Sequence, residues 1–386
     1  MTTTKYFSNF TSAKLVFFLC VLCALCVRTN AQDFKQVHPG VEYAQVETKL
    51  GGDPVKINLL RLDLKKVRLD VHHALDKAIG METTSSIAKR HNGVAAINAG
   101  FFRLDKSEFA GDASGVLVIN GTLLSESSNS RIAIGIHNGK KFSDVDFAHL
   151  NSVLNLKVNK DSKVGMITGI NRSRSTNDIV IYTPDFGSST LTSDEGLEIT
   201  VEGGRATEVR NKKGNSAIPS NGFVISASGQ LVEKVSSFEV GDKTSLVTGV
   251  TSAEGGVTRA KGIIQDITNG VPQLIKNGKI DITWEQEKAS KSFAETRHPR
   301  TAVAKLKDGK FLMMTVDGRQ PGVSVGMSLQ ELAEYLFSLG AIDAMNLDGG
   351  GSTTMFLDGK VVNTPSDKEG ERKIGDAIVV TLRKKR

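Results

Sequence analysis

The feature that most constrains the fold is a succession of short apolar runs separated by turn residues. The region 166–250 shows it best, because Ile179–Tyr182, Leu197–Val201 and Phe223–Ala227 are each bounded by polar or glycine-rich stretches. A chain with 38 glycines and 6% aromatic residues suits many turns and short strands. The pattern predicts the α+β class: a single β-rich domain of mixed or antiparallel sheet with a few flanking helices.

The first 31 residues have the pattern of a secretory signal peptide. Lys5 and Lys14 lie in the basic start, and the apolar run from Leu15 to Val27 is too short for an ordinary membrane span. We therefore expect an exported protein, periplasmic or secreted and bacterial, with no membrane span after cleavage at Ala31. An uncleaved anchor is the alternative. All three cysteines lie in the leader, so the mature chain would form no disulfide.

The remaining chain divides into an amino-terminal strand region, residues 32–74, and a main domain, residues 75–386. Two helices are predicted in the main domain. The first covers Thr83–Arg90, and the second begins after Ser328, with Glu331 completing a capping box and Gly340 ending the helix.

The pair His72-His73 is a possible metal site. Adjacent residues of a strand point to opposite faces, however, which argues against one shared ion. No cofactor is predicted, and a divalent metal stays open.

The stretch from Asn346 to Thr354 carries the most suggestive chemistry. One carboxylate (Asp348), three successive glycines and three hydroxyls lie between two apolar runs that are typical of strands. Backbone N–H groups exposed in a glycine turn can form a concavity of anion size. The stretch therefore fits a binding site for a phosphate or a sugar, and a glycine-rich hairpin without a ligand fits it equally well.

A second turn resembles the first, because the strand that ends at Val316 is followed by Asp317-Gly318-Arg319. If the two strands are neighbours, both carboxylates emerge at one sheet edge beside Arg319. Arg300 and Arg372 are candidates to join them, since guanidinium groups grip phosphate in bidentate fashion. Such a set suits a phosphate ester better than a neutral sugar.

Other functional classes fit less well. The net charge of +7 includes three positive charges in the leader, and the remainder is too mild and dispersed for a nucleic-acid partner. The sequence motifs of zinc proteases, serine hydrolases, phosphate-binding loops and EF-hands do not occur in the chain.

Six segments resemble the phosphodiester glycosidase family, and the resemblance extends over most of the mature chain. The Asp-Gly-Gly-Gly-Ser segment with Asp-Gly-Arg about thirty positions earlier is the most specific signal. The family often has Asn-Gly-Gly or Asn-Gly-Ser where this chain has Asn98-Ala99-Gly100. The segments are Asn98-Ala99-Gly100-Phe101-Phe102, Arg300-Thr301-Ala302, Val316-Asp317-Gly318-Arg319, Ser324-Val325-Gly326-Met327, Asn346 to Thr353 and Val362-Asn363-Thr364-Pro365-Ser366.

The resemblance implies hydrolysis of a sugar-1-phosphodiester, free or in a glycan, at the anomeric carbon. Asp348 or Asp317 would be the base or nucleophile. Two alternatives stay open: a metal-assisted phosphodiesterase that cuts P–O, and a non-catalytic envelope module that binds phosphorylated glycans. The residues predicted to bind substrate or phosphate are Arg319, Arg300, Thr301, Asn98, Gly100, Gly349, Gly350, Gly351, Ser352, Thr353 and Arg372.

Overall fold

The computed structural model describes residues 32–159, 162–164, 167–253 and 264–384. The predicted leader, residues 1–31, lies outside these ranges. The described residues from Lys35 onwards form one compact unit. Among the described residues, no helix is both long and apolar enough to cross a bilayer.

The largest sheet in the described part of the chain has eight strands, and it presents the predicted Asp turns. Three of its strands come from the carboxy-terminal third of the chain and pair antiparallel, and the strand Arg300–Leu306 lies between the strands Phe311–Val316 and Ala341–Asn346. In spatial order its strands are β1 (Lys35–His38), β2 (Val41–Leu50), β3 (Asp53–Leu62), β22 (Phe311–Val316), β21 (Arg300–Leu306), β23 (Ala341–Asn346), β19 (Gln273–Lys276) and β20 (Lys279–Ile280).

A smaller sheet of five described strands carries Asn98 and the final strand of the domain. Its spatial order is β25 (Lys360–Val361), β24 (Met355–Leu357), β6 (Ala95–Asn98), β27 (Asp376–Leu382) and β4 (Val67–His73). A short antiparallel pair accompanies it, formed by β26 (Lys373–Ile374) and β5 (Glu82–Thr83).

The middle of the chain supplies two further sheets. One of them has the order β11 (Ser162–Val164), β10 (Ser143–Val158), β9 (Ile132–Asn138), β18 (Asp266–Asn269), β7 (Leu117–Ile119) and β8 (Thr122–Ser125), with β17 (Thr244–Ser252) also paired to β10. The other has the order β12 (Gly169–Ile170), β13 (Ile179–Tyr182), β16 (Gly222–Ala227), β14 (Leu197–Glu202) and β15 (Arg205–Asn211). The β12–β13 pair is parallel.

The helices are short, and both predicted helices are present. They are α1 (Thr84–Arg90), α2 (Lys291–Glu295) and α3 (Leu329–Ser338), with 3₁₀ turns at Ala74–Asp76, Gly229–Lys234 and Gly350–Ser352. Thr83 caps α1 by accepting a bond from the Ser86 amide. Ser328 and Glu331 form the predicted capping box of α3.

One apolar core connects the largest sheet, the five-stranded sheet of β6 and the sheet of β9. Fully buried residues from all three meet there, among them Met313, Ile97 and Ile134. The β-rich α+β class with mixed and antiparallel sheets and few helices is therefore confirmed. The packing holds the ends of β22, β23 and β6 in fixed relation.

Candidate active site

The two Asp turns emerge at the same edge of the largest sheet. The sequence left open whether their strands are neighbours, and in the structure β21 lies between β22 and β23. Both strands pair antiparallel with β21, so they run in the same direction and end at one edge. Asp317 and Asp348 therefore flank the first residue of β21, Arg300.

Asn98 locks the glycine loop to the sheets below it. Its Nδ2 donates to the backbone oxygen of Asp348 at 2.6 Å, and its Oδ1 accepts bonds from Thr301 Oγ1 at 2.8 Å and the Thr354 amide at 3.1 Å. Asn98 and Thr301 are both buried, at 1% and 0% exposure. These two predicted binding residues thus position the loop from beneath.

Asp348 is the partly buried carboxylate of the glycine loop. Burial raises its pKa to about 6, although the Ser352 hydroxyl, the Gly349 amide and the charge of Arg372 act in the opposite direction. The charge of Asp376 adds to the rise. A carboxyl group tuned towards neutral pH can exchange protons in catalysis.

The amides of the glycine loop are largely occupied inside the protein. Those of Gly349, Gly350 and Ser352 donate to Asp348 Oδ1 at 2.9 Å, Pro299 O at 2.9 Å and Gly349 O at 3.2 Å. The concavity of exposed amides expected from the sequence is thus mostly absent at these three positions, because the turn uses its N–H groups to hold its own shape.

Gly351 lets two side chains, those of Arg372 and Asp367, lie directly against the backbone of the loop. A Cβ atom there would lie 2.2 Å from both Arg372 Nη2 and Asp367 Oδ1. Arg372 holds Asp367 in a bidentate pair at 2.7 and 3.0 Å, and the pair lies directly on the glycine. Arg372 therefore lies against the glycine loop, but its guanidinium already has an anionic partner.

Arg319 is exposed and reaches over the same loop. Its guanidinium nitrogens lie 3.1 Å from the position that a Cβ of Gly350 would take, and Nη2 is 3.5 Å from His298 Nδ1. Its backbone φ is +61°, a left-handed conformation that L side chains rarely adopt. Glycine adopts this backbone conformation without strain.

Arg300 and Asp317 are buried and have intramolecular partners. Arg300 donates to the backbone oxygens of Met327, Phe293 and Thr296 at 2.9, 2.7 and 3.0 Å, and burial lowers its pKa to about 10. Asp317 accepts bonds from Asn363 Nδ2 and the Thr364 amide, each at 3.1 Å, and burial raises its pKa. These contacts favour structural roles for both residues.

A third carboxylate, Asp376, was not predicted from the sequence. It is 2% exposed and accepts bonds from the Gly100 amide at 2.7 Å and Thr268 Oγ1 at 2.6 Å. It faces His73 across the β4–β27 pair. Its sequence context, Gly375-Asp376 at the start of the last strand, is too ordinary to have signalled this role.

Several buried polar side chains around this region lack a hydrogen-bond partner among the described residues. Asn269 is the extreme case, because it is fully buried and both of its amide atoms are unpaired. Such groups are rare unless a ligand or water completes them. Others in and near the loop include Asn346 Oδ1, Thr353 Oγ1 and Thr354 Oγ1.

Comparison with known proteins agrees with the motif resemblance. The family model described as phosphodiester glycosidase matches residues 195–381. N-acetylglucosamine-1-phosphodiester alpha-N-acetylglucosaminidase from Mus musculus is 33% identical over 160 residues, 39% of this chain and 30% of that protein. The Homo sapiens protein of the same name is 35% identical over 133 residues, 32% of this chain and 25% of that protein. The predicted resemblance is therefore confirmed.

The fold also occurs in a solved structure. The crystal structure of a hypothetical protein from Synechocystis superposes with a TM-score of 0.77 at 23% identity, covering 92% of this chain and 64% of that one. At this identity the match concerns the fold alone. The matched part of this chain spans about a third or less of the length of the mouse and human proteins.

Proposed function

We propose that this chain, whose residues 195–381 match the phosphodiester glycosidase family model, is a hydrolase that acts on sugar-1-phosphodiesters. Water replaces the phosphate at the anomeric carbon, so the C–O bond breaks and its electron pair stays on the phosphate oxygen. The products are a free sugar and a phosphomonoester. We propose that the protein is exported and that residues 75–386 form the functional domain.

The observation that carries the proposal is the position of Asp348 next to cationic groups. Burial raises the pKa of its carboxyl group to about 6, and the charge of Arg372 acts in the opposite direction. The guanidinium of Arg319 lies over Gly350, two residues along the chain. A phosphate leaving group departs as an anion, and neighbouring guanidinium groups stabilise its developing charge. The site thus combines a carboxylate for the anomeric carbon with a cation for the phosphate.

In this scheme Asp348 acts in its ionised form. It either accepts the proton of the attacking water or attacks the anomeric carbon itself, to give a glycosyl-enzyme ester that water then cleaves. A phosphomonoester leaves readily, so the reaction needs less help from a general acid than an ordinary glycoside does.

The bond that breaks can be identified with oxygen-18 water and N-acetylglucosamine-1-phosphate methyl diester. We expect the label in the released sugar, with unchanged turnover in the presence of a chelator. Label in the phosphate would indicate attack at phosphorus and would contradict the proposal. Saturable binding without turnover, across a panel of sugar phosphodiesters, would indicate a binding module instead.

The pH dependence follows from the raised pKa of Asp348. We expect kcat/KM to increase with pH through an apparent pKa of about 6, because the carboxyl group must lose its proton to act as base or nucleophile. A pH series of initial rates under constant ionic strength tests this. A rate that falls as the pH rises through 6 would mean that Asp348 acts as an acid.

Arg319 offers a clean test of phosphate binding. We expect Arg319→Gly to lower kcat/KM by roughly 100-fold, since the guanidinium is lost while glycine adopts the left-handed backbone without strain. Arg319→Lys should restore only part of the activity, because an ammonium group cannot form the bidentate contact. Arg205→Ala, in β15, is the matched control. Wild-type kinetics for Arg319→Gly would exclude the phosphate role.

A further inference from the structure

Two imidazoles and one carboxylate converge in a region that the proposed reaction does not use. His72 and His91 stack with ring centroids 3.4 Å apart, and His91 Nε2 lies 3.0 Å from Asp76 Oδ1. The potential ligand atoms of the three residues all lie within 4.8 Å of one another. The three side chains also line a cavity of about 330 Å³.

We propose that His72, Asp76 and His91 bind one divalent transition-metal cation such as Zn²⁺. Two imidazole nitrogens and one carboxylate oxygen form a donor set that zinc accepts, with water completing four ligands. The site rests on this geometry alone and does not depend on the proposed hydrolase activity.

The three donors lie in or next to regular secondary structure. His72 lies in β4, with His73 turned to the opposite face into the core, as strand geometry requires. His91 follows α1 as its C-terminal capping residue, where the partial negative charge of the helix end favours a cation. Leu75 and Asp76 both have positive φ, at 59° and 53°, and this tight turn directs Asp76 towards the histidines.

A cationic group already occupies part of this position. The Nη1 atom of Arg90 donates to Asp76 and lies 3.0 Å from His91 Nε2. The same guanidinium is held by Glu82 at 2.8 and 3.2 Å, so Arg90 keeps an anionic partner when a metal displaces Nη1. Binding also requires the stacked rings to splay, because parallel imidazoles direct their lone pairs along parallel lines. The cavity provides the space for this rotation.

Isothermal titration calorimetry with ZnCl₂ tests the proposal on the purified chain at neutral pH in a buffer that does not chelate. We expect one equivalent of Zn²⁺ to bind, and visible absorption bands of four-coordinate Co²⁺ to appear when Co²⁺ replaces it. Asp76→Asn and His91→Ala should each raise the Kd for Zn²⁺ by at least about 10-fold. Turnover plays no part in either readout.

Two choices of variant keep the test decisive. Asp76 has a side chain that is 56% exposed, so Asp76→Asn should fold even where His91→Ala does not. His38→Ala is the matched control, because His38 contacts the single carboxylate of Asp358 and should not affect binding. Absence of one-equivalent binding, or binding that is unchanged in Asp76→Asn, would overturn the proposal.

Discussion

Asp348→Asn is expected to lower kcat by roughly 1,000-fold or more while the protein stays folded. The loss of rate follows because the amide can neither accept the proton of water nor attack the anomeric carbon. The fold is kept because asparagine has nearly the same shape and can still accept the Gly349 amide bond that Asp348 Oδ1 accepts at 2.9 Å. Steady-state kinetics and thermal unfolding on the same preparation measure both effects.

The difference in stability between the wild type and Asp348→Asn should depend on pH in a defined direction, because only the wild type has a titrating group at this position. The pKa of Asp348 is raised to about 6, above the ordinary value near 4 in an unfolded chain. Its favourable contribution is therefore fully present below pH 4 and is lost as the pH rises through 6. Asparagine does not titrate. The free energy of unfolding of Asp348→Asn should therefore rise relative to that of the wild type as the pH increases from about 4 to about 6, by up to about 2 to 3 kcal/mol.

Asp317→Asn separates the two candidate carboxylates. Asp317 is buried and accepts bonds from Asn363 and the Thr364 amide. Replacing one of its oxygens by an amide group puts a donor against other donors, so we expect lower stability with a smaller loss of kcat. If Asp348→Asn retains full turnover and Asp317→Asn abolishes it in a folded protein, the two roles are reversed.

Asp376→Ala is expected to have the largest effect on stability, at about 3 to 5 kcal/mol. The change leaves the Gly100 amide and the Thr268 hydroxyl without their acceptor, and it removes the charge opposite buried His73. Burial raises the pKa of Asp376, so part of this energy reflects hydrogen bonding rather than a full ionic charge. Equilibrium urea unfolding gives the difference in free energy.

Two variants distinguish the sources of that loss. Thr268→Val removes one hydrogen bond and leaves the carboxylate in place, so its effect should be near 1 kcal/mol. Asp376→Asn retains acceptor capacity for Gly100 and should fall between the two. A change of less than about 1 kcal/mol for Asp376→Ala would show that the buried carboxylate is dispensable for stability.

The sequence alone determined the features that depend on local pattern. Alternating apolar runs and turn residues predicted a β-rich α+β domain, and Ser328 with Glu331 predicted α3, because strand and helix periodicity and capping are short-range effects. The sequence predicted that the two Asp turns meet at one sheet edge only if their strands are neighbours, and the strand order does not meet that condition. The proposed chemistry, hydrolysis of a sugar-1-phosphodiester, came from the resemblance of these segments to the phosphodiester glycosidase family and not from the spacing of residues.

The tertiary structure decided which of these residues face open space and which have partners. Arg300 and Asp317 carry the same charges as Arg319 and Asp348, yet bonds to Met327 and Asn363 engage them inside the protein. In the sheet, β21 lies between the two strands that carry the Asp turns. Asp376, at the start of the last strand, accepts a hydrogen bond from the Gly100 amide. Strand pairing joins residues that are hundreds of positions apart, so their contacts are set by long-range packing that no local pattern encodes.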